Sequence, residues 1–200
     1  MSLPENLQDL AAKPIPGDNP AGGDSRLGPA FLELQAEVER LNSLSGAEGG
    51  VNWEKVRNLG AGILEKESKD LLVAVYFAAS LLELEGIPAM KPASLFLSEL
   101  LKNFWPGLFP PLKRMRARVN ALDWWKERNL RLVKKYEGPP ADERLIEDAR
   151  RGLETLDETL KSLAAGLPGL GDVIKNLALI PVVRSTEPEP AAPGATPSAS

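Results

Sequence analysis

From Leu71 to Leu84 the chain reads Leu-Leu-Val-Ala-Val-Tyr-Phe-Ala-Ala-Ser-Leu-Leu-Glu-Leu, apolar almost all the way round a helix. A helix without a polar face has to be enclosed by other elements. The segment therefore predicts the central rod of a packed helical domain. Its most apolar part, Leu71 to Leu82, falls short of the roughly twenty apolar residues needed to cross a bilayer, and Asp70 and Glu83 bound it with charge.

The flanking sequence supplies walls for that rod. Pro29 suits a first helical position, and Phe31, Leu34, Val38 and Leu41 follow at three- and four-residue spacing, so they are expected to face inward. A flexible Ser45 to Gly50 loop leads to Asn52, a good N-cap for a second helix presenting Trp53, Val56, Leu59 and Ile63. Ser68 is expected to cap the rod, with Asp70 complementing its dipole, and Gly86 and Pro88 to stop it. A fourth helix places Leu95, Leu97, Leu100, Leu101 and Phe104 inward until Pro106 and Gly107 break it. Trp105 to Leu112 forms a proline-rich aromatic elbow. A fifth helix runs from about Pro111 or Lys113 to Glu137, and Gly138-Pro139-Pro140 separates it from a sixth running from near Asp142 to about Leu163. Gly166 to Val183 reads either as one more short packed helix or as an exposed binding stripe, and packing is expected. No stretch alternates with period two. The fold class is all-α: one helical bundle-like domain of about five to seven helices over residues 1–183. Residues 184–200, rich in Pro and Ala and without bulky apolar groups, read as a disordered linker or tail.

Two hundred residues with a net charge of −4 suit one domain plus a tail and give no global reason to invoke nucleic acid. With neither Cys nor His, disulfides, thiolate metal sites, the usual zinc sites and Ser-His or Cys-His nucleophile pairs are excluded. The amino terminus lacks the basic start and apolar run of a secretory signal, so a cytoplasmic location is expected.

Pro14 to Asp24 reads Pro-Ile-Pro-Gly-Asp-Asn-Pro-Ala-Gly-Gly-Asp, which can be neither helix nor regular strand. Asp18, Asn19 and Asp24 lack the alternate spacing and closing Glu of a calcium loop, and their expected role is to satisfy backbone N–H groups in turns. Together with Ser68-Lys-Asp-Leu71 and Arg118-Val-Asn-Ala-Leu-Asp-Trp-Trp125, this loop resembles the ImpA N-terminal domain of the TssA family of type VI secretion assembly proteins. The resemblance spans about Pro14 to Lys126. It implies a non-catalytic docking module that helps to assemble the contractile tail through contacts with baseplate, sheath or tube subunits. It also implies a place at the cytoplasmic face of a membrane-anchored secretion complex. In that family such domains are joined by linkers to variable C-terminal regions that assemble into rings, so self-association through a region absent from this chain is a further expectation. Pro16, Asp18, Asn19 and Asp24 of the loop, with Phe104, Trp105, Phe109 and Pro110 of the elbow, are the candidate partner contacts, although burial in the core is the stronger expectation for the aromatics.

Three other constellations have bland explanations. Lys69-Asp70 could be a catalytic pair, but a helix start explains it. Arg118 is expected to pair with the N-terminal loop, through turn carbonyls or the carboxylates of Asp18, Asp24 or Asp70. The basic run from Lys113 to Lys135 beside Trp124, Trp125 and Tyr136 offers the alternative of a nucleic-acid-binding helix, against which the acidic sixth helix stands as a neutralising antiparallel neighbour. No catalytic, cofactor-binding or metal-ligating set is expected, and no phosphate loop is present.

Overall fold

In a computed structural model, which describes residues 7–42 and 50–184, the rod is α4, Leu71–Glu85. Val73, Ala74, Val75, Phe77, Ala78, Ala79 and Leu81 have no solvent exposure. The walls are α3 (Trp53–Lys66), α5 (Met90–Phe104) and α6 (Met115–Lys134), all packed directly on the rod. Each fully buried Leu, Val or Phe contributes roughly 1.5–3 kcal/mol, so this contact surface holds the domain together.

Outside that inner group, α2 (Pro29–Glu39) packs on α3, and α1 (Leu7–Ala12) packs on α5. The long α7 (Glu143–Leu163) lies against α5, and α8 (Gly171–Leu177) against α6 and α7. α5 and α7 meet so closely that a Cβ on Gly152 would stand 2.7 Å from the Lys91 Cα. Ser98 Oγ and Thr159 Oγ1 share a buried hydrogen bond of 2.7 Å across the same seam. After α8, Val182–Val183 (β2) pairs in parallel with Ala141–Asp142 (β1), with Ala141 opposite Val182. Val173, Leu177, Leu170 and Ile180 are buried, so the segment after Gly166 packs as expected.

The helical boundaries follow the sequence cues. Asn52 caps α3 by accepting from Lys55 N at 2.9 Å, Pro29 opens α2, and Gly86 ends α4 at φ +68°. Several expectations need correction. Eight α-helices stand among the described residues, because the short α1 precedes the proline-glycine loop. Leu41 and Leu95 are exposed, 36% and 40%, lying past the inward stripe of their helices. Ser68 is not the rod's cap: its segment is drawn out as extended backbone, and Asp70 caps instead, accepting from Leu72 N at 2.7 Å. The acidic α7 packs on α5 and not beside the basic α6, and its Arg150 and Arg151 serve its own Glu147. Most of the Ser45 to Gly50 loop and residues 185–200 of the expected tail lie outside the described residues.

Candidate interaction site

The stretch from Glu67 to Leu71 carries a backbone junction. On one edge Gly23 N donates to Glu67 O (3.0 Å) and Lys69 N to Ala21 O (2.8 Å), pairing the proline-glycine loop antiparallel to it. On the other, Phe109 N donates to Lys69 O (2.9 Å) and Leu71 N to Phe109 O (2.7 Å), pairing the aromatic elbow in parallel. Three segments that stand far apart in sequence thus share one short ladder. Gly22 makes the approach possible: its φ is +76°, and a Cβ there would lie 2.2 Å from Glu67 O.

Side chains lock the junction from inside. Lys69 is buried and its Nζ donates to Leu10 O (2.8 Å) and Leu64 O (2.7 Å), carbonyls in the last turns of α1 and α3. Burial pushes its amine down to about 8, with Glu65 opposing. Asp70 turns the other way: Oδ1 caps the rod while Oδ2 accepts from Arg26 Nε at 3.0 Å. Burial raises the Asp70 carboxyl above its ordinary value, against the pull of Arg26 and the cap N–H groups. Lys69 and Asp70 therefore serve separate partners and form no acid–base pair. Arg118 is fully buried, with Nε donating to Pro110 O (2.7 Å), Nη1 to Trp105 O (2.6 Å) and Nη2 to Leu108 O, its guanidinium 4.5 Å above the Trp105 ring. Desolvation lowers its pKa. The expected pairing of Arg118 with the N-terminal loop is thus corrected: its planar fork of donors fits the elbow's inward-facing carbonyls.

The loop itself is a built turn. Ile15 N donates to Pro20 O (2.9 Å), Ala21 N to Asn19 Oδ1 (3.1 Å) and Arg26 N to Asp24 Oδ1 (3.1 Å). Ile15 and Ala21 are buried beneath it, while Pro16, Asp18, Asn19 and Asp24 face solvent. Of the elbow candidates, Phe104, Trp105 and Pro110 are buried and Phe109 is half-buried. The elbow aromatics therefore form the foundation of the site, and the loop supplies its face. Sequence reasoning missed Leu27, 92% exposed beside the tethered Arg26, and Leu32 on α2, 53% exposed. The available signal was an isolated leucine in a polar turn.

The basic run along α6 comes apart in three dimensions. Arg118 points inward, Lys126 reaches Asp172 at 3.7 Å, and Arg128 pairs with Glu83 beside the rings of Trp53 and Trp124. What remains exposed is Lys113, Arg114 and Arg116 at one end and Arg131, Lys134 and Lys135 at the other. At 1.5 Å per residue the two groups stand roughly 25 Å apart.

The segments meeting at this junction are those that carried the resemblance, and comparison with known proteins agrees. Residues 12–127 match the family model described as ImpA, N-terminal, type VI secretion system. The chain belongs to that family. The type VI secretion system component TssA1 of Pseudomonas aeruginosa is 34% identical over 116 residues, covering 52% of this chain and 33% of the relative. The chain thus spans about a third of the length of that curated relative. The N-terminal domain of the TssA component from Burkholderia cenocepacia, which includes the conserved ImpA N-terminal region, superposes with a TM-score of 0.73. That match covers 90% of this chain and 92% of the other at 17% identity, and so shows a common fold. This member of the ImpA N-terminal, type VI secretion system family therefore has an all-α fold.

Proposed function

We propose that the chain is a non-catalytic docking module that helps to assemble the contractile tail by binding baseplate, sheath or tube subunits. The observation that carries this reading is the junction at Glu67 to Leu71, which holds the Pro14–Asp24 loop in one conformation while Pro16, Asp18, Asn19 and Asp24 point outward. A rigid exposed loop loses little entropy on association, which favours binding. The most nucleophile-like group, Lys69, is buried and bonded to two helix-end carbonyls, which supports a non-catalytic role. In this reading residues 1–183 are the docking domain, 184–200 a tether to further assembly or self-association, and the location is the cytoplasmic face of the secretion complex. No helix among the described residues is long and apolar enough to cross a membrane. The nucleic-acid alternative gains nothing from the divided basic run or from the family match.

The test is a binding titration of the chain against individually purified baseplate, sheath and tube subunits from the same genome. Asp18→Ala combined with Pro16→Ala is expected to weaken the cognate pair about tenfold while leaving stability within about 0.5 kcal/mol, as surface substitutions do. Failure of every subunit to bind would reject the proposal.

A further inference from the structure

Beside the loop, the elbow ends in an exposed basic cluster. Leu112 is 42% exposed, and Lys113, Arg114 and Arg116 face solvent at the start of α6. None of the three cations makes an ion pair with a described residue. Elsewhere in this chain of net charge −4, Lys13, Lys55, Lys91, Arg150 and Lys161 each reach a carboxylate, while the exposed Arg131, Lys134 and Lys135 at the other end of α6, like the cluster, make no ion pair with a described residue. The first turn of α6 also contains no acid. Three cations therefore sit against the positive end of a helix dipole, an arrangement that works against folding. The elbow is held fixed before them by Arg118 and by the Phe109 ladder, and a Cβ on Gly107 would touch Ala21 Cβ at 3.6 Å, so the elbow that leads into the cluster packs on the loop.

We propose that Lys113, Arg114 and Arg116, with Leu112, dock an acidic segment of a protein partner whose carboxylates flank an aliphatic side chain. The inference rests on the docking role above and names the chemistry of its partner. Discrete guanidinium forks match single carboxylates bidentately, and Leu112 seats the apolar residue between them. The loop surface favours protein over nucleic acid: Asp18 and Asp24 would repel a phosphate backbone but accept a partner's cations, and of the elbow's rings Phe104 and Trp105 are buried and Phe109 half-buried, so none stands open as a platform for bases.

The full chain is panned against a display library of random twelve-residue peptides, in parallel with a Lys113→Glu/Arg114→Glu/Arg116→Glu variant. The wild type is expected to enrich peptides rich in Asp or Glu around Leu, Ile or Val, bound at least about tenfold more weakly by the variant and by Leu112→Ser, and weakened as salt rises. No acidic enrichment, or the same enrichment in the variant, overturns the inference. So does tighter binding of duplex DNA or of phosphatidylglycerol vesicles than of the selected peptides. Circular dichroism and thermal unfolding are expected to show the variant folded, since all three residues are exposed. A secretion subunit that binds the variant as well as the wild type rejects the acidic segment but keeps the docking role. Acidic-peptide binding with no subunit bound does the reverse.

Discussion

Lys69 and Arg118 carry the same charge as Arg114 and Arg116, and Arg118 lies only two residues beyond Arg116, yet the two pairs have opposite fates. The first pair is buried and bonded to backbone carbonyls: two for Lys69, three for Arg118. The second is exposed and without a carboxylate among the described residues. The difference teaches how this domain builds a loop surface without strands. Irregular backbone leaves carbonyls that neither helix nor sheet can satisfy, and a buried cation gathers several at once, fixing the turn they belong to. Arg114 and Arg116, outside that inner shell and without a carboxylate among the described residues, have no such structural task.

The comparison is most open to attack at Arg118. Arg118→Ala leaves the carbonyls of Trp105, Leu108 and Pro110 buried without a donor, and each such orphan costs about 1–3 kcal/mol. A loss of about 3–5 kcal/mol in urea-induced unfolding is expected, a large share of the stability of a domain this size. Arg118→Lys should lose most of that amount, because one ammonium cannot span three carbonyls in a plane. A Lys variant as stable as the wild type would show that charge alone, and not the donor fork, holds the elbow.

Lys69 sharpens the same contrast through pH. Lys69→Met is expected to destabilise by about 2 kcal/mol at neutral pH, since the carbonyls of Leu10 and Leu64 lose their donor while the cost of burying a charge is relieved. The folded amine titrates at about 8 against an ordinary 10.5, so between these values the unfolded chain binds more protons. Stability from this group therefore rises with pH across that window. The gap between wild type and the Met variant should widen from pH 7.5 to 10, measured by unfolding at each pH. A gap that stays constant or narrows would mean that Lys69 is not desolvated as described.

Such buried cations also mark where the sequence was legible and where it was not. The rod, its stops at Gly86 and Pro88, the Asn52 cap and the inward stripes of α3 and α5 could all be read locally, because periodicity and capping act within a few residues. The loop was recognisable as a built turn from its prolines and glycines, and the exposure of Pro16, Asp18, Asn19 and Asp24 agrees with a surface segment. Its mooring at Glu67 to Leu71 was not legible: the junction's contacts join segments roughly forty residues apart, and they convert Ser68 from an expected cap into extended backbone. Nor could the direction of Arg118 be read, because a helical repeat of cations does not reveal which one faces in. The placement of α7 on α5 was likewise hidden, since opposite charge on α6 and α7 suggested a pairing that the apolar seam along Gly152, Leu153, Leu156 and Leu160 overrides.

The smallest expected effect tests the outer half of the comparison. If Arg114 and Arg116 have no structural task, reversing them should not harm the fold. Arg114 precedes the first residue of α6 and Arg116 lies in its first turn, where exposed N–H groups favour anions over cations. Arg114→Glu with Arg116→Glu should therefore raise stability by about 1 kcal/mol at low ionic strength. Because both sites face solvent, the gain should fade toward zero as salt shortens the screening length to a few ångströms. Thermal unfolding at about 20 mM and 1 M salt separates the outcomes. A loss of stability that persists at high salt would mean that these arginines pack or pair within the domain, and the distinction between inner and outer cations would fall with it.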